Sequence, residues 1–300
     1  CGAPMDLEEL RENCIILAHN YQIPEIQDIA DYVGDSLQLC QEAAKVDKDY
    51  ILFCGVDFMA ESAVMLNPDK TVLMPDLGAK CPMAAMLPAE RLKVAKDEHP
   101  EAAVVLYINT HVEARAESDV TCTSANAVKI VKALEEDEIL FGPDANLAWH
   151  VARHVPEKKI IPIPAKGHCR THILFEREDI LLAQEQHPEA EILIHPECKP
   201  EVQLLADHIM STGQMIRRVK ESSSKEFIIG TETGIIHRMK KEAPGKVFIP
   251  ALENAECENM KKHTMEKVLK ELKERKNVVT VDQRIAERAK KSLERMLDMS

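Results

Sequence analysis

Apolar runs in this chain are short, and they return on a schedule. IILAH (15–19), VVLYI (104–108) and EILIH (191–195) read as strands and place Leu17, Val105 and Leu193 at intervals of 88 residues. YILFCG (50–55), EILFGP (138–143) and EFIIGT (226–231) keep the same interval through Phe53, Phe141 and Ile229. Lys70, Lys158 and Lys246 repeat it, each followed by a third run (TVLMP, KIIPIP, VFIPA). Glu25, Glu113 and Glu201 are in phase, as are Asp31, Asp119 and Asp207. A pattern that carries strands, charges and spacing together is a repeat, and this one has three divergent copies.

Between the apolar runs the pattern turns amphipathic. IPEIQDIADYV predicts one helix and SLQLCQEAAKV a second, after a polar turn. A strand (ILFCG), a helix (AESAVML), a last strand (TVLMP) and a loop complete the unit. Strands that alternate with helices predict right-handed βαβ crossovers and parallel sheets covered on both faces. The expected fold is three homologous three-layer α/β/α domains around a pseudo-threefold axis. The first takes residues 5–99 plus 277–300, the second 100–187, and the third 188–276. NVVTVD (277–282) starts a fourth copy by phase, followed only by RIAERAKKSLERMLD, and is expected to return and complete the first sheet.

Composition narrows the class. With 300 residues, 45% of them hydrophobic, the chain can bury a sizeable core or several small ones. A formal charge of −13 and only 4% aromatic residues argue against a nucleic-acid partner, which needs a positive face or stacking platforms. No apolar run is long enough for a membrane span. The first methionine is Met5, so CGAP, with Cys1, is set aside from the fold. No export signal is read, and nine cysteines in a chain of this length point to a reducing, cytoplasmic setting rather than a disulfide framework.

The cysteines carry the first chemical signal. Cys81, Cys169 and Cys257 are 88 apart (169 − 81 and 257 − 169), each in the loop after its unit's last strand. Loops past the carboxyl ends of parallel strands collect binding residues. Three such loops at one axis make a triangle of thiolates, suited to zinc or to one face of a cubane iron–sulfur cluster. Cys14, Cys40, Cys54 and Cys122 lack cysteine counterparts and read as small buried hydrophobes, and Cys198 reads as structural or incidental.

Polar residues also fall in phase. The first strands end at His19, Tyr107 and His195; two residues on stand Tyr21, Asn109 and Glu197; the second helices open at Ser36, Ser124 and Thr212. Hydroxyls at a helix start are commonly N-caps, yet helix amino ends also bind phosphate and carboxylate. An asymmetric set with one carboxylate, Glu197, among orienting groups suits proton transfer at a shared centre.

HNYQIPEIQDIADYVGDSLQL, CGVDFMAESA, MPDLGAKCPMA, YINTHVEARAESDVTCTSANA, FGPDANLA, GHCRTH, HPEC, GTETGIIHRM and ALENAEC, in this order, resemble the quinolinate synthase family of NAD biosynthesis, from about His19 to the end. The resemblance implies a [4Fe–4S] cluster held by Cys81, Cys169 and Cys257, with one open iron. It implies condensation of iminoaspartate with dihydroxyacetone phosphate to quinolinate, with loss of phosphate and two waters. Iminoaspartate would come from L-aspartate oxidase or aspartate dehydrogenase. By the same resemblance Glu197 is the general acid or base, His19, Tyr21 and His195 orient the intermediate, and Ser36, Tyr107, Asn109, Ser124, Ser211 and Thr212 bind substrate. One departure is that the C-x-x-C-x-x-C run of some members reads Cys257-Glu-Asn-Met260. Two alternatives stay open: a three-cysteine zinc lyase or hydrolase, and a non-enzymatic iron–sulfur sensor. The latter would have no need of the polar set.

Overall fold

The computed structural model describes residues 7–300; CGAP, Cys1 and the expected start of the first domain at residue 5 lie outside them. A short helix, α1 (Leu7–Leu10), leads into the first repeat, which runs β1 (Cys14–His19), α2 (Pro24–Ile29), β2 (Tyr32–Gly34), α3 (Ser36–Ala43), β3 (Tyr50–Cys54), α4 (Asp57–Leu66) and β4 (Thr71–Leu73). Helix α5 (Ala89–Glu98) closes that repeat in sequence. The second runs β5 (Ala103–Tyr107), α6 (Val112–Arg115), β6 (Val120–Cys122), α7 (Ala127–Ala133), β7 (Glu138–Gly142), α8 (Ala145–His154) and β8 (Lys159–Pro162), closed by α9 (Arg177–Gln186). The third runs β9 (Glu191–Ile194), α10 (Pro200–Gln203), β10 (His208–Ile209), α11 (Thr212–Glu221), β11 (Glu226–Gly230), α12 (Ile235–Glu242) and β12 (Val247–Pro250), closed by α13 (Met265–Glu274). A last helix, α14 (Gln283–Asp298), follows. The result is three four-stranded parallel sheets of one topology: β2-β1-β3-β4, β6-β5-β7-β8 and β10-β9-β11-β12. The central strands are apolar throughout because both faces are covered; Val104, Val105 and Leu106 are all buried.

One sequence expectation fails in every unit. The helix expected across IPEIQDIADYV stops at Ile29, and Tyr32–Gly34 forms a strand beside β1. The in-phase aspartates are the cause. Asp31 donates its backbone N–H to the Ile16 carbonyl, and its carboxylate accepts the Ile16 N–H at 2.7 Å. Asp119 does the same for Val104 at 2.7 Å, and Asp207 for Ile192 at 2.8 Å. Each residue adds a rung to the ladder and turns the chain into the sheet.

The helix that closes each repeat in sequence covers the next repeat's sheet. Leu92 of α5 packs with Val104 and Leu140; Ile180 of α9 packs with Ile192 and Ile228; Val268 of α13 packs with Ile16 and Leu52. Packing therefore runs across the sequence boundaries at 99/100, 187/188 and 276/277, and the third repeat closes back onto the first. Side chains in phase tie the same ring. Gln27 Nε2 donates to the Gly234 carbonyl at 2.8 Å, Arg115 Nη2 to that of Phe58 at 3.2 Å, and Gln203 Nε2 to that of Asn146 at 3.4 Å.

The tail does return to the first sheet, but as an edge. The central slot its phase would claim is filled by β1. Asn277 and Val279 therefore pair antiparallel beside β4, through the Met74 N–H at 3.1 Å and the Val72 carbonyl at 2.8 Å. From there α14 packs against α4, α6 and β6, bridging the first two units, with Ala289, Leu293 and Met296 buried. No helix of the described residues is long and apolar enough to cross a membrane.

Candidate active site

The three units meet around a cavity of about 330 Å³. The carboxyl ends of first strands supply His19 and Tyr107, and His195 follows β9 directly. These three line the cavity together with Tyr21, Asn109, Glu197, Ser36, Ser124, Thr212, Cys81, Cys169 and Cys257. Ser211 does not line it. Its hydroxyl caps α11, accepting the Gln214 N–H, and donates to Asp35 Oδ2 at 3.0 Å.

In the first and third units capping belongs to the residue before the expected hydroxyl. Asp35 caps α3 and Ser211 caps α11, each in a capping box with the glutamine three residues on. In the second unit α7 starts later, at Ala127, without a side-chain cap, but the Thr123 backbone N–H donates to Asn126 Oδ1 at 2.6 Å, the same return bond in the same phase. Ser36 and Thr212 are thus released from capping, and with Ser124 they line the cavity. Space at this junction is tight: a Cβ on Gly213 would come within 2.4 Å of Asp35 Oδ2.

Glu197 is the centre of the polar set. It is 3% exposed, with His172 Nδ1 2.7 Å and His195 Nδ1 3.7 Å from its Oε2, and Asn109 Nδ2 3.5 Å from Oε1. Burial alone pushes its carboxyl up, but His172 and His195, with the hydroxyl of Tyr107, outweigh it and bring the pKa down to about 2. Glu197 is thus a carboxylate at neutral pH. Burial pushes both His19 and His195 down to about 3, so they are neutral. Burial, then Glu197, raises the phenols of Tyr21 and Tyr107 well above their usual range, so both keep their protons and act as donors.

His172 is the residue that sequence reasoning missed. Its Nδ1 lies 3.2 Å from Cys169 Sγ as well as facing Glu197, and its Nε2 is 2.8 Å from Thr231 Oγ1, which meets the Tyr21 hydroxyl at 2.6 Å. A buried hydrogen-bond chain therefore joins His172, Thr231 and Tyr21, with Glu197 at ion-pair distance from its His172 end. The repeat offers no clue to it, since Ala84 and Met260 hold the equivalent places. The available signal was Cys-x-x-His, which sets the imidazole one turn beyond the thiol.

The three cysteines are free thiols, as are the other cysteines among the described residues, all of which are buried. Burial raises the Cys81, Cys169 and Cys257 thiols; Cys257 adds to the rise of Cys81, and Glu197, Cys257 and Cys81 add to that of Cys169. Backbone N–H groups work in the opposite direction: Ala84 and Met83 at Cys81, His172 at Cys169, Met260 and Asn259 at Cys257. These donors come from one-turn 3₁₀ segments at Ala84–Met86, His172–Leu174 and Met260–Lys262. Three converging sulfurs, each met by backbone donors and none by a cationic side chain as its main influence, fit a soft-metal centre. Among the described residues, Cys169, His172 and Glu197 form the group whose ligand atoms all lie within 4.8 Å of one another and could hold a single metal ion.

Comparison with known proteins agrees with this geometry. Residues 6–298 match the family described as "Quinolinate synthetase A protein". A quinolinate synthase of Methanothermobacter thermautotrophicus is 58% identical over 290 residues, covering 96% of this chain and 95% of the relative. Those of Pyrococcus furiosus and Thermococcus onnurineus are 52% and 50% identical over 297 residues, covering 98% of this chain and 97% of each relative.

Proposed function

The chain belongs to the quinolinate synthetase A protein family, and from that premise we propose that it condenses iminoaspartate with dihydroxyacetone phosphate to quinolinate, releasing phosphate and two waters. The observation that carries the reading is that three cysteines, one from each repeat, open onto the same cavity as the buried carboxylate Glu197. In this reading Cys81, Cys169 and Cys257 hold a [4Fe–4S] cluster. When bound, the cluster supplies a Lewis-acidic iron without a protein ligand, which polarises a departing hydroxyl.

The chain's own groups do the rest. Ser36 and Thr212, at the first turns of α3 and α11, and Ser124 before α7 offer hydroxyls and nearby backbone N–H groups to the carboxylates and phosphate. Glu197 accepts a proton at a carboxylate oxygen. His172 packs 2.7 Å from that oxygen and orients it, and Thr231 holds the Tyr21 hydroxyl, which keeps its proton and offers a hydrogen bond to the substrate. Neutral His19 and His195 orient the intermediate without adding charge. Residues from all three units close around the reactants, which limits access of bulk water to a reactive imine. Iminoaspartate is supplied by L-aspartate oxidase or aspartate dehydrogenase in a reducing cytoplasm.

The Cys169–His172–Glu197 group gives the zinc alternative its one specific support. Iron, acid-labile sulfide and zinc content after strictly anaerobic purification, followed by a quinolinate assay, separates the two readings. About four irons and four sulfides per chain, with quinolinate formed, are expected. Stoichiometric zinc without sulfide overturns the cluster reading.

A further inference from the structure

We propose that Asp57 and Glu232 are positioning residues that set the cysteine triangle by holding the backbone of the first and third cysteine loops. The proposal rests on the reading of Cys81, Cys169 and Cys257 as ligands. Asp57 Oδ1 accepts the Cys81 backbone N–H at 2.9 Å, and Glu232 Oε1 accepts that of Cys257 at 3.2 Å. The second unit lacks this bond: Asp144 Oδ1 takes the Leu147 N–H at 2.7 Å, and its Oδ2 is buried without a partner.

The repeat does not explain this arrangement. The position of Asp57 is held by Ala145 and Thr233 in the other units, and the positions of Asp144 and Glu232 correspond to Val56. A neighbouring backbone contact does keep phase: the N–H groups of Asp57, Ala145 and Thr233 donate to Ala79, Gly167 and Ala255 at 2.9, 2.9 and 3.0 Å. Each loop is thus tied two residues before its cysteine by a bond common to all three units. In the first and third units a carboxylate, placed from two different positions, accepts the cysteine N–H itself. In the second unit the approach is closest, since a Cβ on Gly167 would fall 1.7 Å from the Pro143 carbonyl oxygen.

Electrostatics make the placement informative. Carboxylates beside thiols oppose thiolate formation, and Asp57 and Glu232 each add to the rise of the cysteine they hold. The benefit must come from geometry, which is what groups behind a metal ligand supply. Both carboxylates are themselves anchored: Asp57 Oδ2 lies 3.3 Å from His111 Nε2, and Glu232 lies 2.8 Å from Lys261 Nζ.

The test uses the full chain purified anaerobically, with iron release to a ferrous chelator as the readout. Asp57→Ala and Glu232→Ala are expected to release iron at least about 10-fold faster than the parent. Asp57→Asn and Glu232→Gln keep an acceptor oxygen and are expected to restore the parent rate. Alanine variants that keep the parent's thermal midpoint and release iron at its rate overturn the proposal. If an alanine variant does not fold, Glu232→Asp, one carbon short, takes its place and is expected to release faster than Glu232→Gln. A parent chain without iron overturns the cluster reading instead. Amide exchange in the metal-free chain then decides: acceleration confined to residues 79–83 in Asp57→Ala upholds the positioning role, and unchanged exchange there overturns it.

Discussion

Single residues carry the chemistry through differences between the repeats. Tyr21, Asn109 and Glu197 share one phase, yet only Glu197 can take a proton at neutral pH, with His172 pinned against it at 2.7 Å. Glu197→Gln is therefore expected to lower kcat about 10²–10⁴-fold with iron content unchanged, read by quinolinate assay beside metal analysis. Cys169→Ser is expected to lose iron altogether; a fully loaded variant would remove Cys169 from the ligand set. A third residue speaks to acid stability. Burial would raise Glu191, but Arg218, Ser222 and Ser224 prevail and lower it from its ordinary 4.5 to about 2. Because the folded-state value is depressed, this stabilisation is present above pH 4.5 and is lost as pH falls toward 2. Urea unfolding of Glu191→Gln should show a deficit at pH 7 that closes over that window. The cavity-lining residues were legible because the repeat marks them. His172 was not, because its counterparts are Ala84 and Met260 and its role exists in one unit alone.

At the scale of elements, nine of the twelve strands among the described residues follow the apolar runs, but the second strand of each unit was hidden. Tyr32–Gly34 is too short for a period of two to stand out, and its pairing depends on a bond from Asp31 to Ile16 across the loop. The caps were misplaced by one residue because Ser and Thr draw attention as caps, whereas Asp35, Thr123 and Ser211 hold the cap phase with different side chains. The amphipathic pattern of α14 was plain, yet its partner was not. Thr121 Oγ1 donates to the Ser292 carbonyl at 3.1 Å, which fixes the helix on the second unit's edge strand. Leu293 is fully buried there, and Leu293→Ala is expected to cost about 2–5 kcal/mol in urea denaturation.

For the whole molecule the decisive feature is closure. Gln27, Arg115 and Gln203 perform one task at three junctions, but only Arg115 brings a charge, paired with Glu61 at 2.9 Å. Arg115→Ala is expected to destabilise by about 3–5 kcal/mol, since it leaves Glu61 without its cation. Arg115→Gln with Glu61→Gln copies the other junctions and should recover more than half of that loss in the same unfolding assay. Periodicity announced three units, but could not show that α5, α9 and α13 each cross a boundary to cover the next sheet. The consequence reaches the ancestry of the chain. A lone ancestral unit would have lent its last helix to a neighbour and borrowed one in return, so the repeat makes sense as the descendant of a helix-exchanging homotrimer whose copies were later fused. The autonomous segment is then out of step with the written repeat: a peptide of residues 88–176 carries its own covering helix, whereas one of residues 100–187 leaves a sheet bare.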